Sequence, residues 1–298
     1  MNHILSADQF SQSELLDILN QAREMEKVLQ KGGSKMAAGK ILAALFYEPS
    51  TRTRLSFETA MLRLGGSIIS ETDVHFSSQV KGETLQDTIR IVSSCADIIA
   101  LRSRNAGDAQ LASQYSSVPI LNGGDGKGEH PTQAVLDLFT ISKYFSFDRP
   151  LRIAFVGELI RGRTVHSLSK LLRLFHNFHI IFVAPEVLQI PNQYRKDGDE
   201  FLFELNDDVL KNSDIIYDTR IQKERFESIE EFERYNGIFV FDTEKVSKMK
   251  PNAILMHPLP RVNEITQDVD RLPQAKYFEQ ARNGIPVRMA LIARVLGI

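Results

Sequence analysis

The sequence predicts an α/β fold of two doubly wound parallel-sheet domains with a site in the cleft between them, on three observations. Short apolar runs alternate with helix-like stretches, and after Arg149-Pro150 the alternation starts again. Loops rich in polar residues and glycine follow the apolar runs, and five of six such loops carry arginine. At 298 residues, 43% hydrophobic and 25% charged, the chain has room for one large domain or two of about 150 residues each.

Residues 11–31 open on Ser11-Gln12-Ser13-Glu14, a capping-box spacing in which serine and glutamate satisfy each other's backbone N–H. Leu15, Leu16, Leu19, Ala22, Met25, Val28 and Leu29 then recur at helical intervals, and Gly32-Gly33 ends the helix. Strands are expected at the apolar runs 41–46, 67–70, 97–101 and 118–121, and again at 151–156, 179–184, 214–218 and 253–256. Strands separated by helices make parallel sheets covered on both faces. Residues 131–145 form a helical bridge, and residues 278–297 close the chain as a helix that the pattern assigns to neither domain. In open sheets of this kind ligands bind beyond the carboxyl ends of the strands. Loops 48–54, 102–104, 123–130, 161–163, 220–222 and 257–261 all fall there, so an anionic ligand is the natural inference.

Several function classes are disfavoured. A formal net charge of −2 lacks the basic surplus of a non-specific nucleic-acid binder. The single cysteine, Cys95, allows no intrachain disulfide, which fits a reducing, cytoplasmic setting. No signal peptide is visible, and no apolar run approaches the roughly 20 residues that span a bilayer. The histidines show no metal-ligand spacing with cysteine or carboxylates, and no nucleotide fingerprint occurs, so neither metal nor cofactor is expected.

The most informative string is Ser50-Thr51-Arg52-Thr53-Arg54, between an expected strand and an expected helix. The first turn of a helix offers unpaired N–H groups and the positive end of its dipole, both suited to an anion. Hydroxyls and a guanidinium fork add donors in a geometry that phosphate accepts. Ser50 alone reads equally as an N-cap, and Arg102 alone as a surface arginine at a strand end. His130, before Pro131, is by itself an ordinary turn residue, although its imidazole suits a carbonyl that gains charge. Gln133 follows within the same helix start, at the end of a flexible glycine-rich loop, and its side-chain oxygen can accept from an NH₂ group.

The string resembles the carbamoyl-phosphate motif of the aspartate/ornithine carbamoyltransferase family. The resemblance continues through Lys81-Gly82-Glu83-Thr84, Leu101-Arg102, His130-Pro131-Thr132-Gln133, Gly162 to Ser167, Arg220 to Arg225 and His257-Pro258-Leu259-Pro260-Arg261. It implies transfer of the carbamoyl group of carbamoyl phosphate to the amino group of L-aspartate, an early step of de novo pyrimidine biosynthesis. Carbamoyl phosphate would be bound by Ser50, Thr51, Arg52, Thr53, Arg102, His130, Gln133, Leu259 and Pro260, with Arg52, Thr53, Arg102 and His130 catalytic. L-Aspartate would be bound by Arg163, Arg220, Gln222, Leu259 and Lys81 of an adjacent chain, and Ser77 and Lys81 of that chain would also contact carbamoyl phosphate. Family members form homotrimers with shared active sites, so Ser77 and Lys81 would serve an adjacent chain. Val80 stands where relatives often have a second lysine. Glu48 and Arg225 would pair to hold a closed form, and the Leu259–Pro260 bond would be cis. The implied domains are residues 1–131 with 282–298, for carbamoyl phosphate, and 132–281, for aspartate. The attachment of separate regulatory chains stays open. Ornithine carbamoyltransferases, the nearest alternative, typically have His-Cys-Leu-Pro where this chain has Pro258, which favours aspartate.

Overall fold

A computed structural model of the chain describes residues 3–71, 82–223, 226 and 228–298. The chain divides into two compact units, Met1–Phe139 with Asn283–Ile298, and Thr140–Arg282. The sequence-based boundary at 131/132 lies earlier in the same helix. That helix runs unbroken through both positions, so the chain carries no local mark of where one unit ends.

The first unit contains α1 (Gln12–Gln30), β1 (Ile41–Phe46), α2 (Thr51–Arg63), β2 (Ser67–Glu71), α3 (Leu85–Cys95), β3 (Ile98–Ser103), α4 (Asp108–Tyr115), β4 (Ile120–Asp125) and the start of α5 (Pro131–Tyr144). The Ser11/Glu14 capping box is present at the head of α1. The four-stranded sheet has the order β2-β1-β3-β4, all parallel. β1 and β3 are buried along nearly their whole length, as the apolar runs 41–46 and 98–101 require, whereas β2 is an exposed edge. On one face Ala43, Leu45, Ile99, Leu101 and Ile120 pack against Ile89 of α3 and Ala109 and Ala112 of α4. The other sheet edge, β4, is covered by the N-terminal segment: Ile4 N donates to Ile120 O and Asn122 N to Ile4 O, each at 2.8 Å.

The second unit contains β5 (Leu151–Gly157), α6 (Arg163–Leu172), β6 (Phe178–Val183), β7 (Glu200–Leu202), α7 (Asp207–Asn212), β8 (Ile215–Thr219), α8 (Ile229–Glu233), α9 (Thr243–Ser247), β9 (Ile254–Met256) and the start of α10 (Tyr277–Leu296). Its parallel sheet has the order β7-β6-β5-β8-β9. Ala154, Val156, Ile181, Ile216 and Leu255 pack with Phe241 and Tyr277. The sequence pattern missed β7, whose three residues are too few to establish a period.

In both sheets the chain leaves its first strand to one side and later returns to the other. The points of reversal fall between β1 and β3 and between β5 and β8. A crevice opens at the carboxyl ends of the strands at such a reversal.

Candidate active site

In the first unit, β1 ends at Phe46, which is in register with Arg102 of β3. The chain then enters α2 with Ser50 at the N-cap, and the Ser50 side chain makes no capping hydrogen bond. Its hydroxyl and the first-turn N–H groups are therefore available together to an anion. Thr51 and Arg52 are exposed, while Thr53 is buried and its carbonyl accepts from Ser56 Oγ at 2.8 Å. Arg54 turns toward Glu58 at 3.9 Å, so it is directed along the helix.

Arg102 is not a surface residue. It is 7% exposed, its Nη1 donates to Gly123 O at 3.2 Å, and its Nη2 lies 3.1 Å from Glu48 Oε2. Glu48 is thus engaged with Arg102; its expected partner Arg225 lies outside the described residues. The fourth arginine of this region has a backbone role: Arg104 Nε donates to Tyr47 O.

The expected flexible loop 123–130 needs correction. β4 runs on through Asp125 and is buried throughout. Asp125 then fixes the following turn, accepting from Glu129 N through Oδ1 at 2.7 Å and from Gly107 N through Oδ2 at 2.9 Å. Burial pushes the Asp125 carboxyl up from its ordinary pKa, more than these hydrogen bonds pull it down. The anchored turn delivers His130, 4% exposed, whose carbonyl accepts from Gln133 N and Ala134 N at the head of α5. Since β1, β3 and β4 are neighbours, residues 50–53, Arg102, His130 and Gln133 gather at one end of one sheet.

The second unit repeats this arrangement. Gly157, the last residue of β5, has φ +116°, and an added Cβ would meet Thr219 O at 2.1 Å. Only glycine permits that close approach of β5 to the end of β8. The next residue, Glu158, is 1% exposed, and its Oε2 accepts from Gln222 N at 2.8 Å. Glu158 therefore ties the segment after β5 to Gln222 after β8. Sequence reading had passed over Glu158; an acid directly after a strand-ending glycine was the available signal. Arg163 is not in a loop: it is the buried first residue of α6, behind the N-cap Gly162. Arg220 and Gln222 are half-buried.

β9 lies beside β8 and leads into residues 257–261. The Leu259–Pro260 bond is cis and Leu259 has φ 50°. His257, 2% exposed, holds this turn from inside. Its backbone N donates to Gln280 Oε1, and its Nδ1 accepts from Leu259 N, both at 2.8 Å. An Nδ1 that accepts carries no proton, so the proton sits on Nε2, which faces Glu264 Oε1 at 2.9 Å. Glu264 Oε2 accepts from Val262 N and Asn263 N, clamping the far end of the turn. Burial pushes the Glu264 carboxyl up, but His257 and the backbone N–H groups of Val262 and Glu264 outweigh it and hold the carboxyl below its ordinary pKa. Arg261 is held by Asp270 Oδ2 at 2.7 Å and Tyr277 Oη at 2.9 Å.

Ser77, Lys81 and Val80 lie outside the described residues. Among the described residues no helix is long and apolar enough to cross a membrane.

Comparison with known proteins gives matches along nearly the whole chain. Residues 2–143 match the aspartate/ornithine carbamoyltransferase carbamoyl-P binding domain, and residues 149–295 match the Asp/Orn binding domain of the same family. The aspartate carbamoyltransferase catalytic subunit of Methanocaldococcus jannaschii is 50% identical, over 99% of this chain and 98% of the relative. A crystal structure of the catalytic subunit of M. jannaschii aspartate transcarbamoylase superposes with a TM-score of 0.90 at 49% identity, covering 100% of this chain and 98% of that one. Trypanosoma cruzi aspartate transcarbamoylase in complex with carbamoyl phosphate and aspartate gives a TM-score of 0.91 at 38% identity, covering 99% and 96%.

Proposed function

The chain belongs to the aspartate/ornithine carbamoyltransferase family, and we propose from that premise that it transfers the carbamoyl group of carbamoyl phosphate to L-aspartate, giving N-carbamoyl-L-aspartate and phosphate. This is the activity of an aspartate carbamoyltransferase, and it feeds pyrimidine synthesis. The observation that carries the reading is the pair of sheet reversals, each flanked by arginine: Arg52 and Arg102 in one unit, Arg163 and Arg220 in the other. Two anionic substrates need two such sets.

The phosphate binds at the head of α2 through Ser50, Thr51, Arg52 and Thr53. Thr53, Arg102 and His130 meet the carbonyl oxygen as it gains charge. Gln133 and the carbonyls of Leu259 and Pro260 take the carbamoyl NH₂. Arg163, Arg220 and Gln222, with Leu259, bind the carboxylates of aspartate, as arginine forks do in bidentate fashion. The neutral amine attacks the carbonyl carbon, the new C–N bond forms, the C–O bond to phosphate breaks, and a phosphate oxygen takes the amine proton. Much of the acceleration comes from holding together two anions that repel in solution. Ser77 and Lys81 complete the site of an adjacent chain in a homotrimer. The exposed Leu55, Leu62, Ile69 and Ile91 of α2, β2 and α3 support that assembly, since they are apolar surface awaiting cover. A cytoplasmic location suits the exposed, unpaired Cys95.

Colorimetric assay of the ureido product with carbamoyl phosphate and either L-aspartate or L-ornithine tests the reading. Aspartate should be used, and ornithine should be slower by at least about a hundredfold, because its distal ammonium would face arginine. Comparable rates with the two would overturn the assignment of the second unit.

A further inference from the structure

Gln133 stands half-buried in the first turn of α5, and its Nε2 donates to Asp137 Oδ1 at 2.9 Å, one helical turn further on. The two ends of an amide are distinguished by their partners. A carboxylate only accepts, so the amide NH₂ must face Asp137. Oε1 then points away and takes no hydrogen bond among the described residues.

Asp137 is 0% exposed, and a carboxylate at such depth requires a compensating charge. Arg288 of α10, 2% exposed and placed over the Phe57 ring at 4.8 Å, supplies it. Burial pushes the Arg288 guanidinium well below the usual arginine range; the Asp137 charge holds it up, and the Arg102 charge opposes that. Gly284 makes the room: an added Cβ would stand 2.4 Å from Arg288 Nη1. Beneath the donor site, then, lies a buried cation that the carbamoyl-transfer chemistry does not use, coupled to a buried carboxylate that fixes the orientation of one site residue.

We propose that Asp137, with Arg288 as its buried counter-charge, is a positioning residue that sets donor specificity by forcing Gln133 to present Oε1, so that the site selects an acyl phosphate bearing NH₂ over one bearing CH₃. The inference rests on the reading that carbamoyl phosphate is the donor. Acetyl phosphate is its near-isostere, with methyl in place of the amine. Against acetyl phosphate the fixed oxygen has no donor to accept from, and an acceptor left unmatched in a closed site costs about a factor of ten or more in binding.

The test measures the KM for carbamoyl phosphate and the competitive inhibition constants of acetyl phosphate and inorganic phosphate, in wild type and two variants. Asp137→Ala frees the amide to turn. Since that leaves Arg288 without its counter-charge, Asp137→Leu/Arg288→Met removes both charges and preserves the apolar packing. In either variant the preference for carbamoyl over acetyl phosphate should fall about tenfold, with the phosphate constant unchanged; general loosening of the site would move all three together. A preference that stays at the wild-type value, or three constants that move in parallel, overturns the proposal. Wild type that makes no N-carbamoyl-L-aspartate would instead overturn the functional reading beneath it.

Discussion

Asp218 offers a prediction that depends chiefly on burial. It lies in β8, in register with Val156 of β5, fully buried, and neither carboxyl oxygen accepts a hydrogen bond among the described residues. Burial pushes its pKa well above the ordinary carboxylate range, and Glu264 pushes the same way, together outweighing the opposing pull of the Thr219 N–H. The folded chain therefore keeps Asp218 protonated where the unfolded chain ionises it, and unfolding releases a proton. Stability from this group is intact below the unfolded pKa of about 3.9 and is lost as pH rises toward the folded value, by up to about 1.4 kcal/mol per pH unit. Asp218→Val removes that loss. Valine suits a strand buried on both faces and adds little volume, and at low pH it still spares about 1–3 kcal/mol for an unsatisfied buried polar group. Overpacking offsets part of the gain, at about 1–3 kcal/mol, but equally at every pH. Urea unfolding followed by circular dichroism at pH 5, 6 and 7 should show the variant's advantage growing with pH. An advantage that stays constant or shrinks between pH 5 and 7 would show that Asp218 is not held protonated by burial.

Two further outcomes are expected. Arg52→Ala should abolish turnover with an unchanged circular dichroism spectrum, because Arg52 is exposed and its loss opens no core cavity; loss of activity with global unfolding would make it structural. If the proposed homotrimer shares its sites, Arg52→Ala and Lys81→Ala should each be nearly inactive alone, yet co-refolding them in equal amounts should restore about a quarter of native activity, since each mixed ring then holds one site with both native residues. No recovery, under conditions where wild type refolds, would place Lys81 in its own chain's site.

The parts of this molecule that a sequence shows best are those governed by local periodicity. Residues 41–46 and 151–156 are read as buried parallel strands because burial on both faces leaves almost no polar position, Arg152 being the exception, and β1 and β5 occupy those runs almost residue for residue. The Ser11 capping box and the head of α2 are equally local. The local structure of the candidate site was legible where a motif spans one loop and a helix start, as in residues 50–54. It was not legible where a residue's role depends on a neighbouring strand or helix. Gly157 is needed because its φ is +116° and Thr219, 62 residues later, passes within reach of its Cα hydrogens, and Glu158 matters because it captures Gln222 N. The same holds for Arg102, which reads as a surface arginine until Glu48 and Gly123 are seen to enclose it. Asp137 and Arg288 look like one charge each on two unrelated helices, and nothing in either helix's pattern sets them at one depth. Buried charge is costly enough that each instance needs a partner, and the partner comes from whichever element the topology brings alongside. In this fold the strands announce themselves, while the partners of buried charges come from other elements, as Glu48 does for Arg102 and Arg288 for Asp137.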